Sequence, residues 1–84
     1  MSVRIRYFAA AKASLGVSEE RREAAGQTIG TLLAELAAGA PDAGAATLVL
    51  DRCSFILNQH ATTDRATVLS DDDELDVLPP FAGG

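Results

Sequence analysis

The sequence predicts an α+β domain in which one main amphipathic helix covers one face of a mixed four- to five-stranded sheet. Three observations lead there. The segments "VRIRYF" (3–8) and "ELDVL" (74–78) alternate apolar and charged residues with the period of a strand. The segment "TIGTLLAELAAG" (28–39) spaces its large aliphatic residues with the period of a helix. A chain of 84 residues can build one core and is too short for two.

In the first strand, Val3, Ile5 and Tyr7 face one way and Arg4 and Arg6 the other. Phe8 falls on the arginine side, out of phase with the core set. Residues 9–16 read as a helical turn or loop ending at Gly16. The stretch "SEERREAA" (18–25) is ambiguous by period; a short antiparallel strand is the economical reading, since it gives the first strand a hairpin partner. In the helix, Ile29, Leu32, Leu33 and Leu36 stand at i, i+3, i+4 and i+7. Thr28 can cap its start and Gly39 its end, with Pro41 blocking any return. Gly30 lies in the first turn, where a glycine is less costly than in mid-helix. Residues 40–51 read as a loop with at most a short helical turn. "CSFILN" (53–58) is a buried strand, "NQHA" (58–61) a tight turn, and a short return strand follows around 61–63. Residues 64–74 form a polar connection with a local apolar anchor, Val68–Leu69. In the last strand Leu75 and Val77 face inward. The order β-β-α-β-(β)-β, with a single amphipathic helix, is that of the β-grasp or ubiquitin-like arrangement.

Composition narrows the function. With 48% apolar and 23% charged residues the chain can bury a core and stay soluble, which argues against disorder. A net charge of −5 and a pI near 4.5 argue against a nucleic-acid partner, which would need a basic footprint. No charged leader with an apolar block opens the sequence, and no run reaches the ~18 apolar residues of a membrane span. One cysteine cannot form an internal disulfide. A cytoplasmic protein with no membrane partner is expected.

Conventional catalytic groups are scarce. Cys53 shares a face with Phe55 and Leu57 and reads as a small core residue with an unreactive thiol. His60 falls in the turn, with no nucleophile placed to use it. "DDDELD" (71–76) holds five acids in six positions, but the register of a calcium loop is absent, so it reads as a solvated acidic turn. A lesser reading makes it an electrostatic guide for a basic partner. No metal site is expected.

The sequence closes on "LPPFAGG" (78–84). At an average glycine usage of ~7%, two terminal glycines arise by chance about once in 200 chains. The context sharpens the signal. Pro79 and Pro80 end strand pairing and aim the exit, and Phe81 can anchor it. Phe81–Gly84, taken as a short flexible tail whose 82–84 portion lies beyond a domain of 1–81, spans about 13 Å when extended. Ala82 and the glycines fit a narrow channel, so the carboxylate of Gly84 can be delivered into another protein's active site.

These residues carry a family resemblance. "VRIRYFAAAKASLG", "TIGTLLAELAA", "FILNQ" and "LSDDDELDVLPPFAGG" resemble the corresponding segments of the MoaD/ThiS sulfur carriers, especially the small subunits of molybdopterin synthases, over essentially the whole chain. The resemblance implies a carrier that is not itself an enzyme and binds no cofactor. Gly84 would be adenylated by a ubiquitin-activating-like adenylyltransferase using ATP and magnesium. It would then become a thiocarboxylate, with sulfur from a cysteine desulfurase or sulfurtransferase. The loaded tail would donate sulfur to cyclic pyranopterin monophosphate inside the large subunit, in a heterotetramer of two small and two large subunits. Gly83 would keep the passage narrow; Phe8, Leu78, Pro79 and Pro80 would meet the partner, and Lys12 would pair with its acids. Two departures stand out: Asp72 where the family commonly has glycine, and Leu78 in place of a frequent phenylalanine. Alternative acceptors are thiamine thiazole, cysteine and transfer RNA. Two further alternatives are a protein modifier joined through Gly84 to lysines and a non-reactive binding module.

Overall fold

The computed structural model describes residues 2–80. Its elements are β1 (Val3–Tyr7), α1 (Ala9–Leu15), β2 (Glu19–Arg22), α2 (Ile29–Ala38), α3 (Ala43–Asp51), β3 (Ser54–Leu57), β4 (His60–Thr62) and β5 (Glu74–Leu78). The five strands form one mixed sheet in the order β2-β1-β5-β3-β4, with β1 and β5 parallel and every other pair antiparallel. The first and last strands are therefore central neighbours.

Strand alternation decides the faces. Val3, Ile5, Tyr7, Phe55, Leu75 and Val77 are each no more than 2% exposed and meet Ile29, Leu32, Leu33 and Leu36 of α2 in one core. The Tyr7 hydroxyl, at the edge of that core, donates to Glu20 Oε2 at 2.8 Å. The helix starts where expected, since the Thr28 hydroxyl accepts from the Thr31 N–H at 3.1 Å. It ends without the left-handed glycine cap: Gly39 keeps right-handed backbone and donates to the Glu35 carbonyl.

Two corrections to the sequence expectation concern the helices. Residues 9–15, expected as a helical turn or loop, form a seven-residue helix, closed as expected at Gly16, which is in left-handed backbone and whose N–H donates to the Lys12 carbonyl at 2.9 Å. Residues 43–51 form a nine-residue helix, where a loop with at most a short helical turn was expected. Asp42 caps it by accepting from the Ala45 N–H at 3.0 Å, and its buried stripe consists of only Ala46 and Leu50. The element order is thus β-α-β-α-α-β-β-β, with α2 the main helix of three.

The 64–70 connection is a strap. Gly30 and Ile29 donate to the carbonyls of Arg65 and Thr67, and Gly26 and Leu69 exchange bonds with Leu69 and Gln27 carbonyls respectively. A Cβ at Gly30 would stand 3.3 Å from the Arg65 carbonyl oxygen, so the strap's close approach, not helix entropy, accounts for this glycine. Arg65 donates through Nη2 to the Leu50 and Asp51 carbonyls at 2.8 and 3.2 Å, closing the C-terminus of α3, and its guanidinium lies 5.1 Å from the Phe55 ring centre. Only half of the expected apolar anchor holds: Leu69 is buried, but Val68 is 58% exposed.

The β3–β4 turn is made by Asn58 and Gln59, both in left-handed backbone at φ +49° and +72°, so His60 begins β4 and the return strand lies at 60–62 rather than 61–63. The Asn58 side chain also accepts from the Glu74 N–H and donates to Asp73, tying the hairpin to the start of β5.

Candidate partner-docking groove

The face of the sheet away from the core divides into two strips. Over β2, β1 and the first part of β5 it is ionic. Arg4 reaches Glu19 at 2.7 Å and Glu74 at 3.4 Å; Arg6 reaches Glu74 at 3.3 Å and Asp76 at 2.7 Å. Two of these pairs follow directly from register, because the parallel β1–β5 ladder sets Arg4 opposite Glu74 and Arg6 opposite Asp76. Arg4–Glu19 and Arg6–Glu74 are diagonal contacts between neighbouring strands. The acidic run is therefore not a purely solvated turn, as expected from sequence. Asp71 accepts from the Ser2 N–H, Asp73 accepts from Ser70 and Asn58, Glu74 is half-buried, and Asp76 is buried. Asp72 stands at φ +65°, the left-handed backbone that glycine adopts freely.

The other strip is apolar. Phe8 follows β1, its N–H donating to the Val77 carbonyl at 3.3 Å, and the residue is 40% exposed. Leu78 ends β5 and leads to Pro79 and Pro80. Opposite them, β3 and β4 bring Ile56 and Ala61, paired in register, with Thr62 and Thr63 at the edge. Together these residues line an open groove of about 810 Å³. Among the described residues that line it there is no acid, histidine, cysteine or cation, so this lining is equipped to bind an apolar surface and not to move protons.

Phe8, Leu78, Pro79 and Pro80 are thus brought together. Lys12 is not among them; it is exposed on α1, outside the groove lining. Phe81, Ala82, Gly83 and Gly84 lie outside the described residues. Ile56 and Ala61 were missed by sequence reasoning, although Ile56 carries the signal that marked Phe8 and Leu78: an apolar residue on the outward phase of its strand.

The two conventional chemical groups are elsewhere. Cys53, just before β3, is 7% exposed and its thiol donates to the Val49 carbonyl at 3.3 Å. Burial pushes this thiol up, and Arg65 opposes the shift only partly. His60 is exposed at the start of β4. Among the described residues no cluster of His, Cys, Asp or Glu could hold a metal ion, and no helix is long and apolar enough to cross a membrane.

Comparison with known proteins settles the family. The ThiS family model matches residues 5–84. This chain belongs to the ThiS family. A molybdopterin synthase sulfur carrier subunit from Chlamydomonas reinhardtii is 34% identical to it over 86 residues, covering all of both chains. Among solved structures, this ThiS-family chain is similar to one in the complex of subunits 1 and 2 of the molybdopterin-converting factor from Helicobacter pylori. That likeness has a TM-score of 0.70 and 27% identity, with both chains fully covered. The crystal structure of SAMP1 from Haloferax volcanii shares the fold at TM-score 0.79 and 24% identity, again over both whole chains. The mixed five-stranded sheet is thus the ubiquitin-like β-grasp of its neighbours.

Proposed function

We propose that this chain is a sulfur carrier acting as the small subunit of a molybdopterin synthase, and that the Phe8–Leu78 groove docks it on the large subunit. The observation that carries the reading is the position of the groove: it lies against Leu78, Pro79 and Pro80, the stretch from which the chain continues toward Gly84. A partner seated there would receive whatever the tail delivers. The full-length relative with that name, the neighbour solved as a complex of two subunits, and a family match that runs to Gly84 support it.

In this reading an adenylyltransferase, using ATP and magnesium, joins AMP to the carboxylate of Gly84 as pyrophosphate leaves from ATP, and so makes a poor electrophile a good one. A cysteine desulfurase or sulfurtransferase supplies sulfur as a persulfide that displaces AMP. A thiol reduces the resulting acyl disulfide and is itself oxidised to a disulfide, and the thiocarboxylate so released holds sulfur as a nucleophile. The large subunit then supplies catalysis toward cyclic pyranopterin monophosphate, while the carrier supplies position.

The test is the intact mass of the chain purified from its native cells without added thiols. A thiocarboxylate adds the difference between one sulfur and one oxygen, localised to the C-terminal peptide. Addition of the large subunit and the pterin substrate should return the mass to that of the carboxylate. An unchanged mass after incubation with activating enzyme, ATP and a sulfur source would sink the carrier reading. A ladder of conjugates through Gly84 would point to a protein modifier instead.

A further inference from the structure

The ionic and apolar strips meet at Phe8. Arg6 donates through Nε to Asp76 Oδ1 and through Nη2 to Asp76 Oδ2, both at 2.7 Å, and Glu74 Oε1 lies 3.3 Å from the same Nη2. A two-point bond between a planar guanidinium and a carboxylate fixes the plane as well as the place. Asp76 is 8% exposed and stands in register between Arg6 and Ile56, so the carboxylate is itself held. The Arg6 guanidinium carbon then lies 5.9 Å from the centre of the Phe8 ring, within cation–π range. The ring thus has an anchored cationic plate beside it and the groove at hand.

Its backbone is held too. The Phe8 N–H is bonded to Val77, and Ala9, the next residue, stands at φ +50°, a conformation that non-glycine residues keep only where their surroundings impose it. What remains free is rotation about the side-chain bonds of Phe8, and the plate restricts that.

We propose that Asp76 and Arg6 are positioning residues for docking: they hold the Phe8 ring in its bound orientation before the partner arrives. The ordering cost of an exposed aromatic then falls on folding instead of association. Neither residue lines the groove, so neither would be found from groove contacts. The inference rests on the groove being the docking site for the large subunit.

A double-mutant cycle tests it, with the full-length carrier and the molybdopterin synthase large subunit of the same organism, read as Kd by calorimetry. Arg6→Lys keeps a cation for Asp76 but gives up the plate; Phe8→Leu keeps an apolar body but gives up the ring. Arg6→Lys should weaken binding about two- to tenfold, the loss that follows from ordering one side chain on association. It should cause no further loss in the Phe8→Leu background, and Asp76→Asn should behave as Arg6→Lys does. Equal losses in both backgrounds, or no loss in the parent, would overturn the proposal. Phe8→Ala separates the two claims. If it leaves Kd unchanged the docking reading itself fails, whereas if it weakens binding while the cycle is additive only the positioning role fails. A readout free of the partner and of Arg6 variants is the Arg6 Nε–H resonance of the free carrier. It should move on Phe8→Leu through loss of the ring, and its staying in place would also overturn the proposal.

Discussion

The two strips of the outer sheet face obey the same strand alternation and reach opposite states. Over β1 and the start of β5, outward positions are taken by Arg4, Arg6, Glu74 and Asp76, and each finds its opposite charge within the chain. Over the end of β5, β3 and β4, outward positions are taken by Leu78, Ile56 and Ala61, which meet no covering element among the described residues and line an open groove. A surface whose needs are met internally offers little to a partner. One that leaves apolar area in water gains from being covered. The same periodic rule therefore yields a finished surface on one side and an unfinished one on the other, and only the unfinished side is suited to docking.

The contrast can be broken most strongly from the apolar side. Leu78→Glu puts a charge at the centre of the groove and should weaken large-subunit binding at least about 100-fold, the scale of a hot-spot loss. Because Leu78 faces outward and is only half-buried, the thermal midpoint should move little. A midpoint collapse with binding lost would show that this strip belongs to the core and not to an interface.

A smaller effect, on stability alone, is expected at the turn entering β5. Asp72→Gly replaces a side chain in left-handed backbone by the residue that adopts it freely, and should raise unfolding free energy by about 0.5 kcal/mol in urea titrations. Binding should not change.

The smallest effect should come from the ionic strip. Arg4 donates to Glu19 and thereby holds its carboxyl below the ordinary range. A lowered folded value means that the contribution is present above the unfolded glutamate pKa and is lost as pH falls through the lowered one. Both groups are exposed, so the pair is screened and its worth is small. Glu19→Gln should thus be slightly less stable than the parent at neutral pH and low salt. The two unfolding midpoints should converge in acid and again at high salt. A gap that persists in both conditions would mean that Glu19 acts by packing.

How much of this was legible depended on where the information lies. The inward set Val3, Ile5, Tyr7, Leu75 and Val77 and the stripe of α2 were readable because periodicity is local. So was the off-phase position of Phe8 and Leu78. The partners of "DDDELD" were not, since pairing Arg6 with Asp76 requires knowing that β1 and β5 are parallel neighbours, a fact about strand order. Helix α3 escaped because its buried stripe is only Ala46 and Leu50, too thin to reveal a helical period, although the Asp42 cap was there to be weighed. β2, with no apolar residue in "EERR", is a strand because β1 offers it an edge.

The central place of β5 bears on how the molecule is made. Of the five strands it is synthesised last, yet β1 and β3 both pair with it. Until it arrives, the growing chain can form the β1–β2 and β3–β4 hairpins but has nothing to join them, and closing the β1–β5 ladder brings together residues 70 positions apart. Such a long-range closure makes folding wait on the far end of the chain. An abandoned translation product that lacked the segment leading to the tail would leave two unsatisfied sheet edges, fit for proteolysis and unfit to occupy a partner. The topology thereby makes completion of the sheet depend on β5, the strand that leads directly into the tail.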